Sequence, residues 1–263
     1  MPSSALYVAR TGLQAQDTRM QVISNNLANV STTGFKRERA NFATLAYQDA
    51  RVAGEQSSGQ TSYATGINLG TGVSVQATST DVSQGTLQST GNGLDMAISG
   101  EGYFQITMPD GSLGYTRAGN FTTSAEGLVV TSQGYPLQPQ LTIPQGASSI
   151  TIGQDGTVSA ILTGATTSST LGQITTATFA NPSALQAASD NFYKETAGSG
   201  APQVGAAGVT GHGTIRQSFL EESNVSVVTE LVDMIECQRA YEVNSKVVSA
   251  VDDMLKNANQ ALS

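Results

Sequence analysis

Residues 222–262 contain neither proline nor glycine, and within them apolar side chains return every seven positions, at Val227, Met234, Tyr241, Val248, Leu255 and Leu262. Leu231, Ile235, Val251 and Ala258 widen that row into a stripe. A seven-residue period belongs to a helix packed lengthwise on another helix; a strand repeats every second residue. Nothing in the stretch forces a break. A helix of about 35 residues runs roughly 50 Å, so it needs a partner of similar length.

The other end of the chain supplies one. Leu6, Leu13, Met20 and Leu27 also stand seven apart, and Ala9, Gln16, Ile23 and Val30 follow each by three, an a/d pattern with one polar position at Gln16. Two amphipathic helices therefore bracket the chain, expected as an antiparallel or coaxial pair with a coiled-coil-like core. Ser3 or Ser4 is the expected first cap, with Pro2 ahead of it. Gly12 is either a tolerated defect of about 1 kcal/mol or the mark of a closely approaching neighbour. Asn25, Asn26 and Asn29 are expected to fray the helix end, and Thr32-Thr33-Gly34 to stop it. Lys36, Arg37 and Arg39 read as a solvated basic run.

The middle reads differently. Residues 40–73 scatter Tyr47, Tyr63 and Leu69 among Gln, Ser, Gly and Thr, as a flexible linker or an arm that orders against a neighbour. From Val73 on, alternation takes over, in 73–77, in 94–98 and at Phe104, Ile106 and Met108. Pro109-Asp110-Gly111 turns the chain toward a returning strand at 115–117, because Pro presets φ and Gly accepts positive φ. Further strands are expected at 128–131, 150–152, 158–162 and 174–179, with Glu126-Gly127 and Asp155-Gly156 as turns. The expected fold class is α+β: paired long terminal helices flank an all-β middle with an extended arm. The expected division is 1–34 for the first helix, 35–72 for the arm, 73–221 for the β domain and 222–263 for the second helix.

Composition bounds the function. Charged residues make up 12% of 263 and the net charge is −8, which argues against nucleic acid, a ligand that wants basic surface. Cys237 is the only cysteine, so no intramolecular disulfide or zinc cluster is expected; it reads as a small buried hydrophobe. No apolar run approaches the roughly 20 residues of a membrane span, and the N-terminus lacks a secretory signal pattern. His212 stands alone between two glycines. Gly100-Glu101-Gly102 lacks the third glycine and the following helix of a dinucleotide loop. Glu221-Glu222 and Asp252-Asp253 read as solvated acidic pairs. No pair of carboxylates is convincing for glycoside chemistry. No enzyme activity, cofactor or metal is expected.

The terminal motifs carry a resemblance. Asn25-Asn26-Leu27-Ala28-Asn29, continued by Gly34-Phe35, resembles the N-terminal signature of the bacterial flagellar rod and hook family. Leu231, Met234 and Ile235, then Gln238-Arg239-Ala240-Tyr241, resemble its C-terminal signature, and residues 100–104 and 115–121 resemble its middle. Length and the stretch through Gln56-Ser57-Ser58 to Gly66 are most similar to distal-rod members; proximal-rod and hook-type axial subunits are the alternatives. An unrelated β-rich surface adhesin would leave the matched heptads unexplained.

The resemblance implies a structural subunit of the basal-body rod that crosses the periplasm, a hollow shaft that transmits motor torque and conducts exported flagellar proteins. The implied partners are other copies in a helical homopolymer, proximal-rod proteins, the hook protein, the outer-membrane and peptidoglycan bushing rings, the rod cap and the type III export apparatus, which reads no cleaved signal. The subunit-interface core is then expected at Leu6, Leu13, Met20, Ile23, Leu27, Val30, Leu231, Met234, Ile235, Tyr241, Val248, Val251 and Leu255. Tyr47, Gln56, Ser57, Ser58, Tyr63 and Gly66 fall in the arm. A polar face of the last helix, with Glu236, Arg239, Asn244, Lys246, Asp253 and Asn257, is expected to line the lumen. Residues 1–30 and 227–263 are expected to order only on assembly, because an isolated helix pair gains little after backbone entropy is subtracted.

Overall fold

The computed structural model describes residues 2–58, 61–164 and 167–262. The chain divides into two compact units, one of Met1–Leu27, Glu38–Ser79 and Val227–Ser263, the other of Ala28–Arg37 and Thr80–Ser226.

The first unit holds the two described α-helices, α1 (Pro2–Ala28) and α2 (Val227–Leu262). They run antiparallel: Gln16 meets Cys237, Arg19 meets Asp233 and Asn26 meets Glu230. Ser3 and Ser4 lie inside the first turn of α1, not at its cap. No described helix is long and apolar enough to cross a membrane.

Two features expected of the fold class are overturned. The apolar heptad row does not form a coiled-coil-like core: Leu6, Leu13, Met20 and Leu27 are only half-buried, while Val227, Leu231, Ile235 and Tyr241 are exposed. The side chains of Ala258 and Leu262 lie outside the described residues. On α1 the seam uses the expected d positions Ala9, Gln16 and Ile23, joined by Gly12, Arg19 and Asn26. On α2 it uses Glu230, Cys237, Asn244 and Val251, again seven apart. The seven-residue period holds on both helices, but the strong apolar rows through Leu6 and Val227 stand beside the contact row, which polar and small residues occupy.

The arm is the second correction. Residues 38–58 and 61–80 pair with each other as a two-stranded ribbon. Strand β1 (Glu38–Thr44) pairs with β6 (Val73–Thr80), β2 (Gln48–Arg51) with β5 (Ile67–Leu69), and β3 (Gln56–Ser58) with β4 (Thr61–Ser62). The register runs Gln48↔Leu69, Arg51↔Ile67 and Gln56↔Ser62, with irregularities at 49/51 and 56/58. Arg51 stacks its guanidinium 3.8 Å from the Tyr63 ring centroid, a cation–π contact across the ribbon.

The second unit is mostly β, with two short 3-10 turns, Pro182–Ala184 and Ser189–Asn191. Its largest sheet is centred on Tyr103–Thr107, which pairs with Leu113–Thr116 on one side and Thr175–Thr178 on the other. The hairpin closes at Gly111, whose φ of 77° and amide bond to the Met108 carbonyl make the predicted turn. Alternation on the central strand explains two cores. Phe104 and Ile106 face the larger one, with Met96, Ile98, Phe121, Leu137, Val158, Ile174 and Ile215. Tyr103 faces the smaller, with Tyr115, Tyr193 and Phe179 in edge-to-face contact at centroid distances of 4.8–5.9 Å.

Candidate assembly interface

Side-chain hydrogen bonds and an ion pair join α1 to α2 along their seam. Cys237 is fully buried and its Sγ donates toward the Gln16 carbonyl at 3.1 Å and Oε1 at 3.3 Å. Burial pushes the thiol pKa up, with Arg19 pulling weakly the other way. A Cβ added at Gly12 would stand 3.1 Å from Asn244 Nδ2, so this glycine marks close approach of the two helices. Arg19 reaches Asp233 at 3.1 Å and Glu236 at 3.8 Å, partly in solvent, and such pairs contribute only about 0–1 kcal/mol.

Asn26 is the tightest joint. It is 1% exposed. Its Oδ1 accepts from the Glu38 amide at 2.9 Å, and its Nδ2 donates to the Glu38 carbonyl at 2.8 Å and to Glu230 Oε2 at 3.2 Å. One carboxamide thus pairs with both backbone groups of the first ribbon residue, as a neighbouring strand would, and holds a buried carboxylate of α2. Asn26 does not fray the helix end. It joins α1, α2 and β1 within their unit.

Away from the seam, α2 presents an apolar surface. Val228 is 73% exposed, Val232 51% and Ile235 50%, with Val227 and Leu231 beside them. Five aliphatic residues within nine positions are left to solvent. The ribbon likewise exposes Tyr47, Val52, Tyr63, Ile67 and Leu69.

The residues singled out from sequence are therefore distributed over several settings. Ile23 and Val251 are buried; Leu6, Leu13, Met20, Leu27, Met234, Val248 and Leu255 are half-buried; Leu231, Ile235 and Tyr241 are exposed. Val30 lies past the end of α1, half-buried in a turn of the other unit. Of the motif residues, Asn25, Ala28, Gln238 and Arg239 are exposed, Asn29, Phe35 and Ala240 half-buried, and Gly34 buried. Tyr47, Gln56, Tyr63 and Gly66 are exposed on the ribbon, and the side chains of Ser57 and Ser58 lie outside the described residues. Met1 and Ser263, termini of the segments expected to order on assembly, also lie outside them. Asn244 belongs to the seam, not to the opposite polar face. Glu230 stands in the C-terminal signature stretch, but its burial against Asn26 is not expected from the sequence. Its signal was positional: it stands seven before Cys237, in a row whose residues do not look apolar.

Three family models match. The flagella basal body rod protein model covers residues 6–36, the flagellar hook protein FlgE/F/G D1 domain covers 97–160, and the flagellar basal body rod FlgEFG protein C-terminal model covers 216–261. The chain is 45% identical over 256 residues to the flagellar basal-body rod protein FlgG of Buchnera aphidicola subsp. Acyrthosiphon pisum, covering 97% of this chain and 98% of that one. It is 46% identical over 260 residues to FlgG of Caulobacter vibrioides, covering 98% and 99%. Against the flagellar basal-body rod protein FlgF of the same organism the identity falls to 32% over 266 residues, covering 98% of each. The chain belongs to the family of flagellar basal-body rod proteins that carry the name FlgG.

Proposed function

We propose that this chain is the structural subunit of the distal rod, polymerising helically into the hollow, rigid shaft that transmits torque to the hook and conducts exported flagellar proteins. The observation that carries the reading is similarity along the whole length to FlgG proteins, at 46% in an organism whose FlgF reaches 32%. The physical reading agrees with it. The apolar residues Val228, Leu231, Val232 and Ile235 stand on an outer face of α2, and contiguous exposed apolar surface of this kind marks protein–protein contact. A neighbour that covers one such side chain removes apolar area worth about 1.5–3 kcal/mol.

The finer assignments are part of the same proposal. Half-buried Leu6, Leu13, Met20, Met234, Val248 and Leu255 complete their burial against other copies. Proximal-rod proteins, the hook protein, the bushing rings, the rod cap and the type III export apparatus are its further partners, in the rod that crosses the periplasm. Expression in a strain lacking its own FlgG tests the reading. The expected result is restored swimming, with the chain located in the distal rod of isolated basal bodies. Rescue of a strain lacking FlgF, without rescue of the first, would overturn it in favour of a proximal-rod subunit.

A further inference from the structure

The basic run expected to be solvated contains a buried cation. Lys36 is 1% exposed, and its Nζ donates to Glu221 Oε1 at 2.5 Å and to the Ser83 carbonyl at 2.6 Å. Glu221, also expected in solvent, is fully buried. Its Oε1 accepts in addition from the Gly85 amide at 2.9 Å, its Oε2 from Arg117 Nη1 at 3.2 Å, and its carbonyl from the Gly34 amide at 2.7 Å. Arg117 is 5% exposed and spends a second nitrogen on the Gly100 carbonyl at 2.8 Å. All these residues belong to the β unit.

One carboxylate therefore serves two buried cations, 185 and 104 residues before it in the chain. Removing one member of a buried ionic group leaves charge without compensation, among the most destabilising changes a fold can suffer. Every residue of the larger core, from Met96 to Ile215, precedes Glu221. A chain that has not yet presented residue 221 holds the whole of this larger core, yet closing it would bury Lys36 and Arg117 with no counter-charge.

We propose that the Lys36–Glu221–Arg117 triad is a completion lock, which withholds stable folding of the β unit until the strand Phe219–Glu221 has joined it. The consequence rests on the rod reading: a chain that threaded a channel with its N-terminus leading would stay unfolded until nearly all of the unit had emerged. The lock itself is a property of the dilute monomer, and its failure would leave the assembly reading standing.

Refolding of the full chain from urea, followed by pulse-labelled amide exchange, tests it. The expected result is that Tyr103–Thr107, Thr157–Leu162 and Thr175–Thr178 gain protection in the same phase as Phe219–Glu221. In the triple variant Lys36→Met, Arg117→Met, Glu221→Leu the core strands should then protect at least about tenfold ahead of Phe219–Glu221, since nothing charged remains to wait for. Early core protection in the unaltered chain, or a single shared phase in the triple variant, would overturn the lock. At equilibrium, Glu221→Gln alone should lower the melting midpoint of the β unit by about 10 °C, and the apolar triple variant by clearly less. Equal losses would assign the effect to packing and also overturn it.

Discussion

Asn26 offers the sharpest test of how the helical unit is held. Asn26→Ala removes two bonds to the Glu38 backbone, at 2.8 and 2.9 Å, and one to the Glu230 carboxylate at 3.2 Å. A neutral hydrogen bond contributes about 1 kcal/mol net and one to a charged group about 1.5–3 kcal/mol, so the gross loss is about 3.5–5 kcal/mol. Glu38 is only half-buried, and water replaces part of what its backbone loses; about 3 kcal/mol is expected. Amide exchange under increasing urea reads α1, α2 and β1 directly, with the β unit as an internal reference, since a chain of two units need not unfold in one step. Asn26→Asp adds a readout that simple loss of volume cannot produce. The new carboxylate still accepts from the Glu38 amide but faces the Glu38 carbonyl and Glu230 with no donor. Its folded pKa is raised above the unfolded value, so the folded state binds the extra proton, and the variant recovers stability as pH falls through that raised pKa toward about 3.9. A cost below about 1 kcal/mol for Asn26→Ala, or no acid recovery for Asn26→Asp, would refute the joint.

Ile235→Asp places a charge on a side chain that is half exposed, so the monomer should change by no more than about 0.5 kcal/mol; swimming and recovery of rods should be lost, and a motile strain would count against this face of α2 as an assembly surface. The carboxyls of Asp81 and Asp155 are held below their ordinary 3.8 mainly by hydrogen bonds from Ser83 and Thr157, and Asp110 by Ser112 and Lys194. Depressed carboxylates stabilise above the unfolded pKa and lose that contribution as pH falls through the folded one. The β unit should therefore show a level melting midpoint from pH 7 to about 5 and a decline below about 4; a decline centred near 6 would contradict the assignment. Cys237, buried and with its thiol pKa raised, should react with a maleimide at least about 100-fold more slowly than in urea. Labelling of the dilute monomer at the unfolded rate would mean that the helix pair opens freely before assembly.

What could be read from the sequence depended on whether a pattern needed one partner or several. Phe104 and Ile106 alternate within one strand, and the local pleat alone sends them to the same core. Pro109-Asp110-Gly111 specifies its own turn. Lys36 and Glu221, by contrast, look like surface residues in any window of the chain, and only a contact across 185 residues makes them interior. Asn26 was misread for the same reason: near a helix end its carboxamide competes with the backbone locally, until Glu38 and Glu230 give it three bonds elsewhere. Of the ribbon only β6 shows in the sequence, through the alternation in 73–77; β2, β3, β4 and β5 are two to four residues long, too short for alternation to betray a strand.

The misplaced seam carries a physical consequence. The sequence holds one strong apolar row on each helix, yet the contacts inside a single chain use the weaker, polar one, with Gln16, Arg19 and Asn26 set against Glu230, Asp233 and Cys237. Polar contacts are directional and fix alignment, while each contributes only about 1 kcal/mol net; apolar area is what supplies bulk stability, at about 25 cal/mol per Å² removed from water. A pair joined this way is aligned but weakly held. Most of its apolar surface is left over for something else. If another copy covers that surface, alignment within a chain and cohesion between chains are divided between two faces of the same helices. Exchanging them at Gln16 by Gln16→Leu, with the Asn26 joint left intact, should then strengthen the lone pair and weaken registry. The expected readout is a helix unit that resists urea better as a monomer and yet assembles into rods less often; improved assembly would show that the polar seam does not set alignment.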